Sequence, residues 1–393
     1  MEHILITGGA GFIGSRTAKA LLGKGHRVRI LDLLDPQIHG EKPKFPNSLN
    51  PGVDRIRGDV RRPADLQKAL KGIDTVYHFA AKTGVGQSMY DVSGYVDTNV
   101  GGTATLLQAI LQNKSQVKRL ILASSRAVYG EGAALCPRHG NIFPEKRSRE
   151  LLERGIFQVK CPHCGRTVKP IPTPEESRTD PGSIYALTKK HQEDLCLQAA
   201  SAYGLSVVIL RYFNVYGSGQ ALQNPYTGVA TVFFNRLREG KPISLYEGGL
   251  PRRDFVHVSD VVQANLAALN PKIRSGSLFN VGSGQAITVR QLAQTLGNAI
   301  GRYPVLESKG EFRVGDIFAC TAHMERSRHV LGYHPRMTLK KGLQEFATWA
   351  NGEKRAKEGA YEQTVSELTH HNLFGKAAPP RKTKRKIRFS YTA

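Results

Sequence analysis

The feature that most constrains this chain is its opening. Met1–Thr7 is a short apolar run that stops at Gly8-Gly9-Ala10-Gly11-Phe12-Ile13-Gly14. Such a run reads as a buried parallel strand, and Phe12–Gly23 behind it has helical spacing. Gly8 permits a tight turn, Gly11 lets a backbone approach a pyrophosphate closely, and Gly14 lets helix and strand pack tightly. The helix would turn unpaired N–H groups and its positive dipole end toward phosphate, with Phe12 and Ile13 in its first turn. His26–Leu31 alternates as a second strand, closed by Asp32, 18 residues beyond Gly14. A carboxylate there suits the hydroxyls of an adenosine ribose and repels a 2′-phosphate, which favours NAD over NADP. Arg27 and Arg29 pull weakly the other way. Spaced GxxGxxG, the glycines alone are a weak signal; strand, glycines, helix and acid in order are a strong one.

The rhythm continues. Strand-like runs recur at Val53–Arg57, Thr75–Phe79, Val117–Ala123 and Leu205–Leu210. Helical stretches lie between most of them, notably Val96–Gln112 and Ser183–Ala202. This alternation predicts an α/β fold with a doubly wound parallel Rossmann sheet. Gly58-Asp59-Val60 ends the third strand and offers Asp59 and Val60 to an adenine. After Arg211 the pattern loosens into helices at 229–239, 258–269, 288–300 and 338–350. We read a Rossmann domain over 1–213 and a smaller, mainly substrate-binding lobe over 214–350, with 255–281 returning to the first domain. Segment 131–180 stands apart as a Cys- and His-bearing insert, and 351–393 as a basic, mobile tail.

Composition enters through charge. Fifty-six Lys and Arg against 32 Asp and Glu give a net +24. Gly352–Ala393 holds ten Lys/Arg and four Glu, a local +6, most of it within 381–388. The rest is spread without aromatic interleaving, which argues against a nucleic-acid surface. No apolar run approaches the ~20 residues of a spanning helix. Five Cys in 393 residues rule out a disulfide scaffold, so a cytoplasmic protein with reduced thiols is expected.

Tyr185 and Lys189 stand at i and i+4, on one helix face. A phenol is a poor base at neutral pH, and an ammonium beside it favours the phenolate. Val117–Ala123 runs into Ser124-Ser125, where a hydroxyl can bond the substrate oxygen that Tyr185 deprotonates. His78, closing the fourth strand, reads as packed rather than catalytic.

Over roughly residues 2–350 these motifs resemble the extended short-chain dehydrogenase/reductases, in their nucleotide-sugar epimerase/dehydratase branch. The matching segments are GGAGFIG at 8–14, GDV at 58–60, HFAA at 78–81, SSRAVYG at 124–130 and YALTK at 185–189. RYFNVYG at 211–217, RRDFVHVSD at 252–260, FNVGSG at 279–284 and FRVGD at 312–316 follow. The resemblance implies Ser125, Tyr185 and Lys189 as the catalytic set. It implies cofactor contacts at Phe79, Ala80, Ala81, Asn99 and Phe213, and a nucleotide diphosphate held by Asn214, Arg253 and Arg313. Forked arginines suit a diphosphate chemically.

The family's 4,6-dehydratases and decarboxylases carry an acid directly after the catalytic Ser/Thr; here Arg126-Ala127 stand there. That leaves the minimal set, which implies an NAD-dependent 4-epimerase working through a 4-keto sugar. The sugar would carry UDP or dTDP, and Gly219–Gly228 resembles the corresponding segment of dTDP-L-rhamnose 4-epimerase-type members. Two alternatives remain: a 4-keto-sugar reductase consuming NAD(P)H, and a non-catalytic Rossmann-like binding protein with a basic tail. Helices 96–112 and 183–202 resemble those that pair in family homodimers.

The resemblance also makes the 60-residue step from Ser125 to Tyr185 too long. Within them lie Cys136-x2-His139 and, 21 residues on, Cys161-x2-Cys164. Paired ligands on tight turns suit tetrahedral zinc, which would supply folding energy that a small insert lacks. His163 is a possible substitute for His139; a redox CxxC and a metal-free turn are the alternatives. Cys196 and Cys320 read as core thiols.

Overall fold

The computed structural model describes residues 1–41, 43–112, 116–224, 226–354 and 359–378. Seven strands form the central sheet: β1 His3–Thr7, β2 Arg27–Asp32, β3 Asp54–Arg57, β4 Thr75–His78, β5 Arg119–Ser125, β6 Ser206–Tyr212 and β7 Ser277–Val281. Their spatial order is β7-β6-β5-β4-β1-β2-β3, with every neighbouring pair parallel. The order reverses between β1 and β4, and open α/β sheets bind ligands at such a switch point.

Strand periodicity distributes the apolar residues to two faces. Ile4, Ile6, Ile30, Tyr77, Ile121, Val208 and Leu210 join one core with Ala18 and Leu21 of helix α1 (Phe12–Leu22). Leu5, Leu31, Val76, Leu120, Leu122, Val207 and Ile209 point the other way. They meet Leu106 and Ile110 of α2 (Gly102–Gln112) and Cys196 and Ala199 of α3 (Ile184–Tyr203). Burial on both faces is why these strands read as nearly continuous apolar runs.

The strand expected at 117–123 runs on through Ser124 and Ser125, which pair in register with Arg211 and Tyr212. The helix expected from Val96 begins as a π-helical turn, Val96–Gly101, before α2. Of the stretch 255–281, β7 pairs with β6 in the first sheet, while its opening residues belong to a strand of a second sheet.

The second lobe is built on α4 (Val229–Arg238), α6 (Val289–Ala299) and α7 (Leu339–Asn351), which bury Phe234, Leu292, Leu296 and Phe346 together. Between them in sequence, α5 (Val258–Ala267) turns Val261 and Ala264 into the first core beside α1. A mixed five-stranded sheet carries Asn214–Tyr216, Arg252–His257 and Ala319–Ala322. The insert adds its own small sheet, in which Ala134–Cys136 pairs with Gly140–Ile142 and Lys169–Pro170.

The tail departs from expectation. Ala360–His370 forms helix α8, and Phe374–Lys376 pairs antiparallel with Glu311–Arg313. Net charge over the whole stretch hid an amphipathic turn, with Leu368 buried and Tyr361 and Val365 half-buried. The dense Lys/Arg run begins at Arg381, outside the described residues. Among the described residues no helix is long and apolar enough to cross a membrane.

Candidate active site

A cavity of about 1870 Å³ opens over the carboxyl ends of the central strands, between the two lobes. It gathers residues from both ends of the chain.

At its dinucleotide end lie Gly8, Gly11, Phe12, Ile13 and Gly14. Gly8 has φ +70°, and a Cβ there would stand 2.8 Å from the Ala80 amide nitrogen. At Gly14 a Cβ would meet the Gly8 carbonyl oxygen at 2.4 Å, so the turn admits no side chain at either place. Among the described residues no side chain caps α1, which leaves its first N–H groups at the cavity, where an anion suits them. Asp32 lines the same end, its Oδ2 taking the Ala10 N–H at 2.9 Å and its Oδ1 the Leu34 N–H at 2.8 Å. Asp59, Val60, Phe79, Ala80, Ala81 and Phe213 complete the wall. This donor set fits NAD.

Asn99 does not line the cavity. Its amide is spent inside the protein, accepting from the Lys82 N–H at 2.8 Å and donating to the Lys82 carbonyl and Thr188. The expected cofactor contact is instead a brace under the π-helical turn. His78 is buried between Thr7 and Thr103, and burial pushes it down to about 3, so it stays neutral.

Ser125, Tyr185 and Lys189 come together where β5 ends. Ser125 caps the short 3-10 turn Arg126–Tyr129, accepting the Ala127 N–H at 3.1 Å. Ser183 caps α3, and Tyr185 is the second residue of its first turn; the Tyr185 N–H donates to Ser88 Oγ at 3.0 Å. Burial raises the Tyr185 phenol, while a hydrogen bond with Ser125 and the Arg126 charge pull it back down. Arg126 thus adds a cation beside the phenol that the spacing of Tyr185 and Lys189 did not signal. Lys189 instead donates to the Ala123 carbonyl at 2.8 Å, and burial lowers it to about 8 against the opposing Glu193. Glu193 is itself buried, clamped by Arg211 at 2.7 and 2.8 Å and by the Ser124 hydroxyl.

At the far end stand Asn214, Arg253 and Arg313. Asn214 Oδ1 is buried without a partner among the described residues. Arg253 spends its guanidinium on the carbonyls of Arg252, Ile317 and Phe318, at 2.6–3.1 Å. Burial brings it down to about 10. Arg313 grips Asp316 through Nε and Nη2 at 3.0 and 2.7 Å. Burial would raise the Asp316 carboxyl, but Arg313, Arg253 and Arg147 outweigh it and hold it low. Arg147 comes from the insert: it bonds Glu131 at 2.7 Å, Glu247, and the Asp316 carbonyl at 2.7 Å. Sequence reasoning missed Arg126, Arg147, Ser88 and Glu193. Arg126 was legible as the cation beside Ser125; the others have no local signature.

In the insert, Cys136, His139, Cys161 and Cys164 converge, their ligand atoms all within 4.8 Å of one another. Cys136 Sγ lies 3.6 Å from His139 Nδ1 and 3.7 Å from Cys164 Sγ, and Cys161 Sγ lies 3.4 Å from His139 Nδ1. Gly140 (φ +67°) and Gly165 (φ +68°) follow the two pairs and close their turns. Burial raises the Cys136 thiol, yet N–H groups of Arg138 and His139, with the His139 ring and Cys161, bring it below the usual thiol range. The residues fit a tetrahedral N/S site. Cys196 and Cys320 are buried in the cores, as expected.

The NAD dependent epimerase/dehydratase family matches residues 4–148 and 164–282. This chain belongs to that family. The gap in the match falls within the cysteine-bearing insert. The dTDP-L-rhamnose 4-epimerase of Burkholderia thailandensis is 36% identical over 350 residues, covering 88% of this chain and 94% of that protein. The UDP-glucose 4-epimerase of Streptomyces lividans is 28% identical over 84% of this chain and 91% of that one. Among solved members, the Bacillus cereus UDP-glucuronic acid 4-epimerase, in complex with UDP-glucuronic acid and NAD, superposes with a TM-score of 0.73. It is 27% identical, covering 89% of this chain and 99% of that one. The Thermotoga maritima UDP-glucose 4-epimerase, with UDP-glucose, gives 0.71 at 28% identity, covering 89% and 98%.

Proposed function

We propose that this family member is an NAD-dependent isomerase, a 4-epimerase of a nucleotide-diphosphate sugar, UDP- or dTDP-linked. The observation that carries the reading is the meeting of Ser125, Tyr185 and Lys189 in one cavity with the uncapped glycine turn. A binding module has no use for that set.

Gly8–Gly14 would hold the dinucleotide, with Asp32 on its adenosine ribose and Asp59, Val60, Phe79, Ala80, Ala81 and Phe213 around it. Asn214, Arg253 and Arg313 face the nucleotide diphosphate. Ser125 bonds the sugar O4 and Tyr185 removes its proton, so C4 becomes a ketone. NAD, when bound, accepts the C4 hydride and gives it back. The keto sugar turns over between the two steps, so the configuration at C4 inverts and no net oxidation occurs. Tyr185 returns its proton to O4 at the end. Arg126 and Lys189 favour the phenolate that this exchange needs.

The test is incubation of the full chain with UDP- and dTDP-sugars and no added reductant, with product stereochemistry read by NMR. Interconversion is expected, with NAD retained by the purified protein. Product that forms only when NAD(P)H is supplied would overturn the epimerase reading in favour of the reductase.

Cys136, His139, Cys161 and Cys164 are read as a structural zinc site. Its alternatives are a redox dithiol and a bare turn. Metal analysis should find about one zinc per chain, and a Cys161→Ser variant should lose it along with thermal stability. A metal-free wild type of equal stability would sink the idea. The homodimer and the cytoplasmic setting belong to the same proposal. They are supported by exposed Val96 and Leu187 on the helices expected to pair, and by five free thiols.

A further inference from the structure

The cysteine-bearing insert and the sugar-diphosphate end of the cavity share one stretch of backbone, residues 316–319. On one side this stretch closes the small core of the insert. Phe318 and Ala319 are buried there with Ala134, Cys136, Ile142, Val159, Cys161 and Val168, and Cys164 packs against them. Gly132 donates its N–H to the Ala319 carbonyl at 3.0 Å, and a Cβ on it would stand 3.1 Å from that oxygen. Where the chain leaves the insert, Pro172 and Thr173 pair in parallel with Thr321 and Ala322.

On its other side the same stretch holds the arginines. The Ile317 carbonyl accepts from Arg253 Nη2 at 2.6 Å, and the Phe318 carbonyl from Arg253 Nη1 at 3.1 Å. The Asp316 carboxylate holds Arg313. The insert locks this backbone from behind. Arg147 donates to the Asp316 carbonyl at 2.7 Å, and Glu131 takes the Phe318 N–H at 2.6 Å. The Arg147 guanidinium also lies over the Phe318 ring, 5.8 Å from its centroid. The bonds that orient Arg253 thus come from carbonyls whose own side chains stand on the cysteine pairs. That floor is thin: two of the six buried residues that the insert gives to it are Cys136 and Cys161. A metal tying the two pairs together supplies folding energy that so small a core lacks. Without it, Phe318 loses its support and the carbonyls under Arg253 lose their fixed place.

We propose that metal binding at Cys136, His139, Cys161 and Cys164 is coupled to sugar-nucleotide binding, with Phe318 as the positioning residue that joins the cluster to Arg253. The inference rests on the two readings above, of a nucleotide diphosphate at Arg253 and Arg313 and of a metal at the cluster. Such coupling is reciprocal. The metal tightens the diphosphate, and the diphosphate tightens the metal by the same factor. The dinucleotide end, built on Gly8–Gly14 and Asp32, makes none of these contacts, so NAD should not respond.

The experiment uses the full chain under reducing conditions in three states: zinc-loaded, stripped with a chelator, and reloaded with zinc. Calorimetric Kd values for UDP and dTDP read the diphosphate end, and bound NAD reads the other. Stripping should weaken the nucleotide by about tenfold, within the usual range of site-to-site couplings, and reloading should restore it. Saturating nucleotide should in turn raise zinc affinity, titrated against a competing chelator, by that same factor. Bound NAD should hold throughout. Phe318→Leu should keep its zinc and shrink the coupling to about threefold or less, and the wild-type arms decide the matter if that variant fails to fold. A chain that takes up zinc yet binds UDP and dTDP equally in all states overturns the coupling and leaves the metal reading standing. NAD lost in step with the nucleotide overturns it too, since that marks general unfolding. A chain that takes up no zinc, or binds neither nucleotide in any state, overturns the coupling together with the reading beneath it.

Discussion

The two ends of the cavity are built by different rules. The dinucleotide end is local: one strand, one glycine turn and one helix, contiguous over His3–Leu22, with Asp32 soon after. The sugar-diphosphate end is assembled from distant pieces. Arg253 sits on one strand, Arg313 on another, Arg147 comes from the insert and α8 from the C-terminal segment. The first end is therefore stable to change elsewhere in the chain, whereas the second depends on pieces that hold each other.

The largest effect should fall where the two ends meet. Tyr185→Phe removes the proton acceptor and should cut kcat by about 10³-fold, within the span of general acid–base catalysis, with NAD content and melting temperature unchanged. A variant that keeps a tenth of the rate would break the assignment.

Next comes Arg147→Met, which reaches the far end without touching it. It leaves Glu131 and Glu247 buried without their cation, and should destabilise by about 3–5 kcal/mol in denaturant titrations. Burial raises Glu247, and Arg147 counters it. The KM for sugar nucleotide should rise while NAD affinity holds. Equal loss at both ends would erase the contrast between them.

A third prediction concerns pH. Lys189 is lowered to about 8 by burial, so its ammonium is lost as pH rises through that value. Charge-assisted activity should then fall, giving an alkaline limb with a midpoint near 8 that Lys189→Arg moves upward. In stability the sign is opposite: the cost of burying the charge is fully present below 8 and is relieved between 8 and the unfolded value near 10.5. Unfolding at pH 7 and pH 9.5, compared with Lys189→Met, would show it.

The smallest effect is expected from deleting residues 379–393, which should leave kcat and KM unchanged, since among the described residues Leu368 is the last to line the cavity and Lys376 the last in the ladder. Cutting back to Gly352 should instead raise KM.

Legibility followed the same divide. The sheet could be read because strand and helix periods are written in adjacent residues, and Tyr185 with Lys189 because i and i+4 share a face. Cys136, His139, Cys161 and Cys164 were readable as two short pairs, and they do converge. Asn99 misled because its residue type suits a ligand contact, while its surroundings consume both ends of the amide. Arg253, expected on a nucleotide diphosphate, lines the cavity, yet its hydrogen bonds to three carbonyls had no sequence signal. Arg147 and Ser88 act through partners far along the chain, and no local pattern encodes a meeting of that kind. The C-terminal helix was masked by arithmetic: a net charge taken over 42 residues averaged an amphipathic turn with a basic end.

The ladder between Phe374–Lys376 and Glu311–Arg313 has a consequence for how the protein is made. A chain emerging from the ribosome can complete the glycine turn and its strands early. The strand that steadies Arg313 arrives only once Phe374–Lys376 is out, long after Arg313 itself. Non-local pairing of this kind forms late. A nascent or prematurely terminated chain would thus hold a finished dinucleotide half while its sugar end is still open, and the order of synthesis sets the order in which the two ends gain function.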